Sequence, residues 1–125
     1  MVGYMTSRSL VVKVTAGKED PERCNQALTV AATAAASGIP ISLWLTGEAA
    51  WLALPGGADA VTLAHAVPLA DLLAKVVDQG TVTVCTQCAA RREITADDVI
   101  PKVRIAGAAT FIAEILADDA QAIVY

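Results

Sequence analysis

Residues 82–92 read Val-Thr-Val-Cys-Thr-Gln-Cys-Ala-Ala-Arg-Arg, a short β-type run that leads directly into a predicted helix start. This segment holds two of the three cysteines, Cys85 and Cys88, and two of the nine basic residues, Arg91 and Arg92. A strand followed at once by a helix is typical of an α/β sheet, which binds ligands at the carboxyl ends of its strands. The segment therefore predicts the fold class and a thiol site at that edge.

The same alternation of strand and helix extends outward on both sides of this segment. Strands are predicted at residues 10–15, 41–46, 82–84, 102–106 and 122–125. Helices are predicted from Asp20 to Gly38, from Pro68 to Gly80, after Cys85, and over residues 108–117. Residues 47–67 carry no clear pattern beyond a short helix at 48–54 and a turn at 55–57. The order predicts a three-layer α/β/α sandwich with a mostly parallel sheet of about five strands.

The helix predicted at residues 108–117 carries small and branched apolar side chains at helical spacing. Ala109, Ile112, Ala113 and Leu116 lie on one side of that helix. We expect this stripe to pack against the core.

Composition limits the class of protein. The 125 residues suffice for one domain, predicted to span 1–125 with residues 1–8 disordered. Hydrophobic residues make up 55% of the chain, and its mean hydropathy is +0.53, so we expect surplus apolar surface and a homo-oligomer. The net charge of −4 argues against a nucleic-acid partner, which would require clustered basic residues.

The sequence also predicts where the protein resides. The longest stretch of low charge, residues 27–45, is broken by Gly38 and Pro40, so we predict no membrane span. The first eight residues lack the order of a signal peptide, and three cysteines do not suit a secreted disulfide framework. These features favour a cytoplasmic protein with reduced thiols.

Cys85 is the candidate nucleophile. A thiol with the ordinary pKa of ~8.5 is only about 3% ionised at neutral pH, so a reactive cysteine needs surroundings that favour the thiolate. If Cys85 ends the strand or caps the helix, the backbone N–H groups of Thr86, Gln87 and Cys88 point toward its sulfur. We therefore predict that these residues stabilise a thiolate or bind an anion. Gly47 is expected at the same edge of the sheet.

Two further features of the segment support chemistry at this sulfur. Arg91 and Arg92 follow six and seven residues later and are predicted to contribute positive charge or bind an anion. Cys88 lies three residues after Cys85, on the same side of a helical turn. It could therefore resolve a disulfide or accept a sulfur atom from Cys85.

Several motifs resemble the DsrE/TusD-like (DsrEFH-like) sulfur-relay family. They are Cys-Thr-Gln-Cys-Ala-Ala-Arg-Arg at 85–92, Asp-Pro-Glu-Arg at 20–23, Gly-Ile-Pro-Ile-Ser-Leu-Trp-Leu at 38–45 and Val-Arg-Ile-Ala-Gly-Ala-Ala-Thr-Phe at 103–111. The resemblance implies a small α/β protein, often trimeric or hexameric. It implies that Cys85 carries a persulfide sulfur from a donor protein to an acceptor protein, as a possible sulfurtransferase. It calls for no cofactor.

Three alternatives remain open from the residues alone. The CxxC motif is also the signature of thioredoxin-like or peroxiredoxin-like dithiol redox proteins. A zinc site would need four ligands, and the chain has that number in Cys24, Cys85, Cys88 and the lone His65. Their spacing is irregular, however, and we predict no metal. The third alternative is a non-catalytic binding or assembly subunit with incidental cysteines.

Overall fold

A computed structural model describes residues 8–125. The prediction that residues 1–8 are disordered therefore concerns residues that lie, except for residue 8, outside the described range. The strands are β1 Ser9–Val14, β2 Ile41–Leu45, β3 Thr81–Cys85, β4 Val103–Ala106 and β5 Ala120–Val124. The α-helices are α1 Pro21–Ala36, α2 Leu69–Gln79, α3 Thr86–Arg91 and α4 Ala108–Ile115. Residues 47–67 hold two short 3-10 helices, Gly47–Ala53 and Gly57–Ala60, and no strand. No helix within residues 8–125 has the length and apolar character needed to cross a bilayer.

The five strands form one sheet in the order β4-β3-β2-β1-β5, and every pair of neighbours is parallel. Helices cover both faces, so the predicted α/β class is confirmed, with a sheet that is wholly rather than mostly parallel. Because parallel strands all end at the same edge, the carboxyl ends of β1, β2 and β3 meet there. Cys85 is the last residue of β3 at this edge.

The main core lies between the sheet and the helices α1 and α2. Alternate strand residues such as Val12, Leu43 and Val84 are fully buried on this face. The α1 side chains that meet them include Ala27 and Ala31, also fully buried, and their small size lets the helix lie close to the sheet. The side chains buried on this face are ones that the sequence pattern predicts to lie in the core.

The helix α4 lies on the opposite face and contradicts one prediction. Ala109, Ile112, Ala113 and Leu116 were expected in the core, but all four are exposed, Ile112 by 50% and Leu116 by 75%. The stripe points away from the sheet. Leu116 lies just beyond the end of α4.

The orientation of α4 has a polar cause. Ser42 Oγ and Trp44 Nε1 both donate hydrogen bonds to Oε1 of Glu114, at 2.6 and 3.0 Å. Arg104 forms an ion pair with the same carboxylate. The Phe111 ring meets Trp44 edge-on, with 5.2 Å between ring centroids. These contacts turn Phe111 and Glu114 toward the sheet, which leaves the apolar stripe outside.

We expect the Glu114→Ala variant to be less stable than the wild type by about 1–3 kcal/mol at neutral pH, because it loses charge-assisted hydrogen bonds. Burial opposes ionisation of Glu114, but the hydrogen bonds from Ser42, Trp44 and Arg104 and the charge of Arg104 outweigh it and lower its pKa. The stabilisation is therefore present above the unfolded pKa of about 4.3 and is lost as pH falls through the lower folded value.

Denaturant unfolding of the wild type and Glu114→Ala at neutral and acid pH measures this effect. The control is Glu93→Ala, which removes the same charge from an exposed position. An equal loss of stability in both variants, or a gap that does not shrink in acid, would contradict the prediction.

Candidate functional site

Cys85 occupies the junction of a strand and a helix. It is the last residue of β3 and also the N-cap of α3. The two positions that the sequence offered as alternatives, strand end and helix cap, are therefore both occupied by this residue. Its φ and ψ of −62° and 130° are extended, as a capping residue requires. The side chain is partly exposed, so a reactant can reach the sulfur.

The surroundings of Cys85 favour the thiolate. Burial works against the charge, but the backbone N–H groups of Cys88 and Gln87 and the thiol of Cys88 favour negative charge on the sulfur. The ammonium group of Lys13 adds favourable electrostatics. Together these outweigh burial and lower the pKa of Cys85.

Lys13 is the contributor that sequence analysis missed. It pairs in register with Trp44 of β2, which pairs with Thr83 of β3. Cys85 lies two residues after Thr83, so its side chain is on the same face of the sheet as that of Lys13. The signal was present in the sequence, since Lys13 is the only charged residue in β1.

Cys88 is held differently from Cys85. Its side chain belongs to the core cluster and the residue is only 9% exposed. The backbone N–H of Gly47 donates to Cys88 Sγ at 3.2 Å. Gly47 has φ of +54°, and a Cβ there would lie 2.7 Å from the carbonyl oxygen of Thr15, so this donor position requires glycine.

Arg92 binds protein groups beside this pair of cysteines. Its Nε and Nη2 donate to Oε2 of Glu48 at 3.2 and 2.9 Å, and its Nη1 donates to the carbonyl oxygen of Cys88 at 3.1 Å. The hydrogen bond from Arg92 is the main cause that lowers the pKa of Glu48. These contacts tie α3 to the 3-10 helix that begins at Gly47. Arg91 is exposed on the last turn of α3.

The remaining predicted residues lie around the rim of the site. Thr86 and Gln87 are exposed in the first turn of α3, and the backbone N–H of Gln87 contributes to the lowered pKa of Cys85. The structure thus brings together Cys85, Cys88 and the start of α3.

Cys24 does not belong to this site. It is fully buried in α1, and burial, reinforced by Glu19 and Asp20, raises its pKa to about 12. His65 is exposed in a loop. Within residues 8–125 no group of three or more His, Cys, Asp or Glu side chains is arranged to hold a metal ion. The four residues of the zinc alternative therefore form no metal centre.

Iodoacetamide is expected to alkylate Cys85 of the folded protein well before Cys24. The alkylation rate of Cys85 should rise with pH to a midpoint below that of the thiols in the unfolded chain, because its pKa is lowered. The Cys88→Ala variant removes the thiol that helps to lower the pKa of Cys85 and should move this midpoint upward. Peptide mass spectrometry after timed pulses across pH measures each thiol separately. Equal labelling of Cys24 and Cys85 in folded protein, or an unshifted midpoint in Cys88→Ala, would contradict the assignment.

Comparisons with known proteins agree with this architecture. The YchN protein from E. coli has a similar crystal structure, with a TM-score of 0.77 and 17% sequence identity over 94% of this chain and 99% of YchN. MTH1491 from Methanobacterium thermoautotrophicum, a protein of unknown function, gives a TM-score of 0.62 and 10% identity over 95% of this chain and 100% of its own. At these identities the likeness shows the fold. No curated protein matches the chain. The model of the DsrE/DsrF-like family matches residues 8–123, and the chain therefore belongs to that family.

Proposed function

We propose that this protein is a small sulfur carrier that holds sulfane sulfur as a persulfide on Cys85 and passes it to a partner. The family is one of sulfur-relay proteins, which supports the class of chemistry. The observation that carries the proposal is the placement of the partly exposed Cys85 at the N-cap of α3, where the neighbouring amides and the Cys88 thiol lower its pKa.

The transfer needs no external oxidant. The Cys85 thiolate attacks the outer sulfur of a donor persulfide, a new S–S bond forms, and the donor leaves as a thiolate. In the second step a thiolate on the acceptor attacks the outer sulfur now held on Cys85 and regenerates the Cys85 thiolate. The amide donors of Gln87 and Cys88 and the charge of Lys13 stabilise negative charge at Cys85 before loading and after release.

The partners are a sulfur donor and a sulfur acceptor protein, together with further copies of this chain. The apolar stripe of α4 supports self-association, since its side chains face away from the sheet of their own chain and are exposed. A reducing compartment such as the cytoplasm suits a carrier whose three cysteines are all free thiols.

Intact-mass analysis after anaerobic exposure to polysulfide or a persulfidated donor tests the proposal. We expect a gain of one sulfur atom that thiols reverse, and peptide mapping should place it on Cys85. Reversal by thiol separates this product from sulfinic acid, which has nearly the same mass. No gain in mass in either the wild type or the Cys88→Ser variant, or a sulfur atom located on Cys24, would overturn the proposal.

A second candidate is dithiol redox chemistry, favoured by the position of Cys88 in the first turn of the helix that Cys85 caps. In that case oxidation by disulfide exchange would give a stable Cys85–Cys88 bridge with a defined reduction potential, and sulfur loaded onto Cys85 of the Cys88→Ser variant would not be passed on to an acceptor protein. Sulfur passed from that variant to an acceptor protein favours the carrier.

A further inference from the structure

We propose that Cys88 discharges the Cys85 persulfide when no acceptor arrives, releasing the sulfane sulfur as hydrosulfide and leaving a Cys85–Cys88 disulfide. This inference rests on the proposed function, because it begins from sulfur bound to Cys85. It assigns the two cysteines different tasks.

The first step of the argument is access. Cys85 is partly exposed, whereas Cys88 is 9% exposed and packed in the core cluster. A donor or acceptor protein can therefore reach the sulfur of Cys85 but not that of Cys88. The reactant within reach of the Cys88 sulfur is Cys85 itself, because Cys85 is the N-cap of α3 and Cys88 is the third residue of that helix, on the same side of its first turn.

The second step concerns the negative charge that develops on the Cys88 sulfur when it attacks. An attacking sulfur must become a thiolate or share its proton as it reacts. The N–H of Gly47 donates to Cys88 Sγ at 3.2 Å, which favours negative charge on that atom. Arg92 joins the carbonyl of Cys88 to Glu48, the residue next to Gly47, and so holds this donor in place. A cysteine that served only to fill the core would need no such donor.

The third step is the chemical balance. The Cys88 sulfur attacks Sγ of persulfidated Cys85, an Sγ–Sγ bond forms, and the bond from Cys85 Sγ to the sulfane sulfur breaks. The sulfane sulfur takes the electron pair and the proton of the Cys88 thiol and leaves as hydrosulfide. It is thereby reduced, while the two cysteine sulfurs are oxidised to a disulfide. A dithiol reductant then restores the two thiols.

The experiment loads the protein with inorganic polysulfide without oxygen, removes the excess by rapid desalting and follows free sulfide and intact mass over time. The wild type is expected to release about one sulfide per loaded chain, leaving a dithiol-reversible product two hydrogen atoms lighter than the reduced chain. The Cys88→Ser variant should keep its sulfur and release sulfide at least about tenfold more slowly. The Cys24→Ser variant, which loses the fully buried thiol of α1, should discharge like the wild type.

The outcomes separate the two proposals. A loaded wild type that keeps its sulfur as long as Cys88→Ser does overturns the discharge but leaves the carrier function intact. A wild type that takes up no sulfur, while Cys88→Ser takes up none either, overturns the carrier function and the discharge with it. Cys88→Ala provides a second variant should the serine hydroxyl perturb the core, and thermal unfolding checks that each variant is folded.

Discussion

The Cys85→Ser variant is expected to take up sulfur from polysulfide at least about a hundredfold more slowly than the wild type. A serine hydroxyl stays protonated at neutral pH, so the amide donors of Gln87 and Cys88 have no anion to stabilise. Cys88 cannot replace the lost nucleophile, because it is 9% exposed and external polysulfide does not reach it. Intact-mass analysis with peptide mapping measures the uptake at each cysteine.

The matched control is Cys24→Ser, since Cys24 is fully buried and should contribute nothing to uptake in the folded protein. Because Cys85 is partly exposed, Cys85→Ser should unfold at nearly the wild-type temperature. Normal uptake by folded Cys85→Ser would exclude this residue as the carrier. Loss of uptake in both variants would point to unfolding rather than to chemistry.

The position of the candidate site could be predicted because it depends on local rules. A β-branched run followed by a capping position places Cys85 at the carboxyl edge of a parallel sheet, and the structure has it there. The roles of the arginines depend on tertiary contacts that spacing along the chain does not encode. Arg92 meets Glu48, which is 44 residues away, and Lys13 reaches the site from a strand two positions away in the sheet.

The same distinction explains the one wrong prediction for the core. Periodicity identified the apolar stripe of α4 correctly, but periodicity alone does not say which side of a helix faces its own sheet. The choice is made by Glu114, whose partners Ser42, Trp44 and Arg104 lie on two other strands. The stripe that this anchor turns outward is the surface through which we propose that copies of the chain associate.

The Leu116→Asp variant is therefore expected to abolish self-association, raising the dissociation constant at least about a hundredfold. Leu116 is 75% exposed in the single chain, and burying one leucine side chain in an interface contributes about 1.5–3 kcal/mol. Aspartate loses this contribution and adds the cost of desolvating a charge. In a symmetric assembly every copy carries the change. Sedimentation velocity over a range of protein concentrations measures the assembly.

Val67→Asp is the control, because Val67 is a similarly exposed apolar residue, at 55%, on a loop away from α4. It should assemble like the wild type. A wild type that stays monomeric, or a Leu116→Asp variant that sediments like it, would show that the stripe does not bind a second copy. The monomeric variant should still be loaded with sulfur, because one chain supplies all the groups around the site, namely Cys85, Cys88, Lys13 and Gly47. Loading that survives the loss of assembly would assign the chemistry to the single chain and the α4 surface to the assembly.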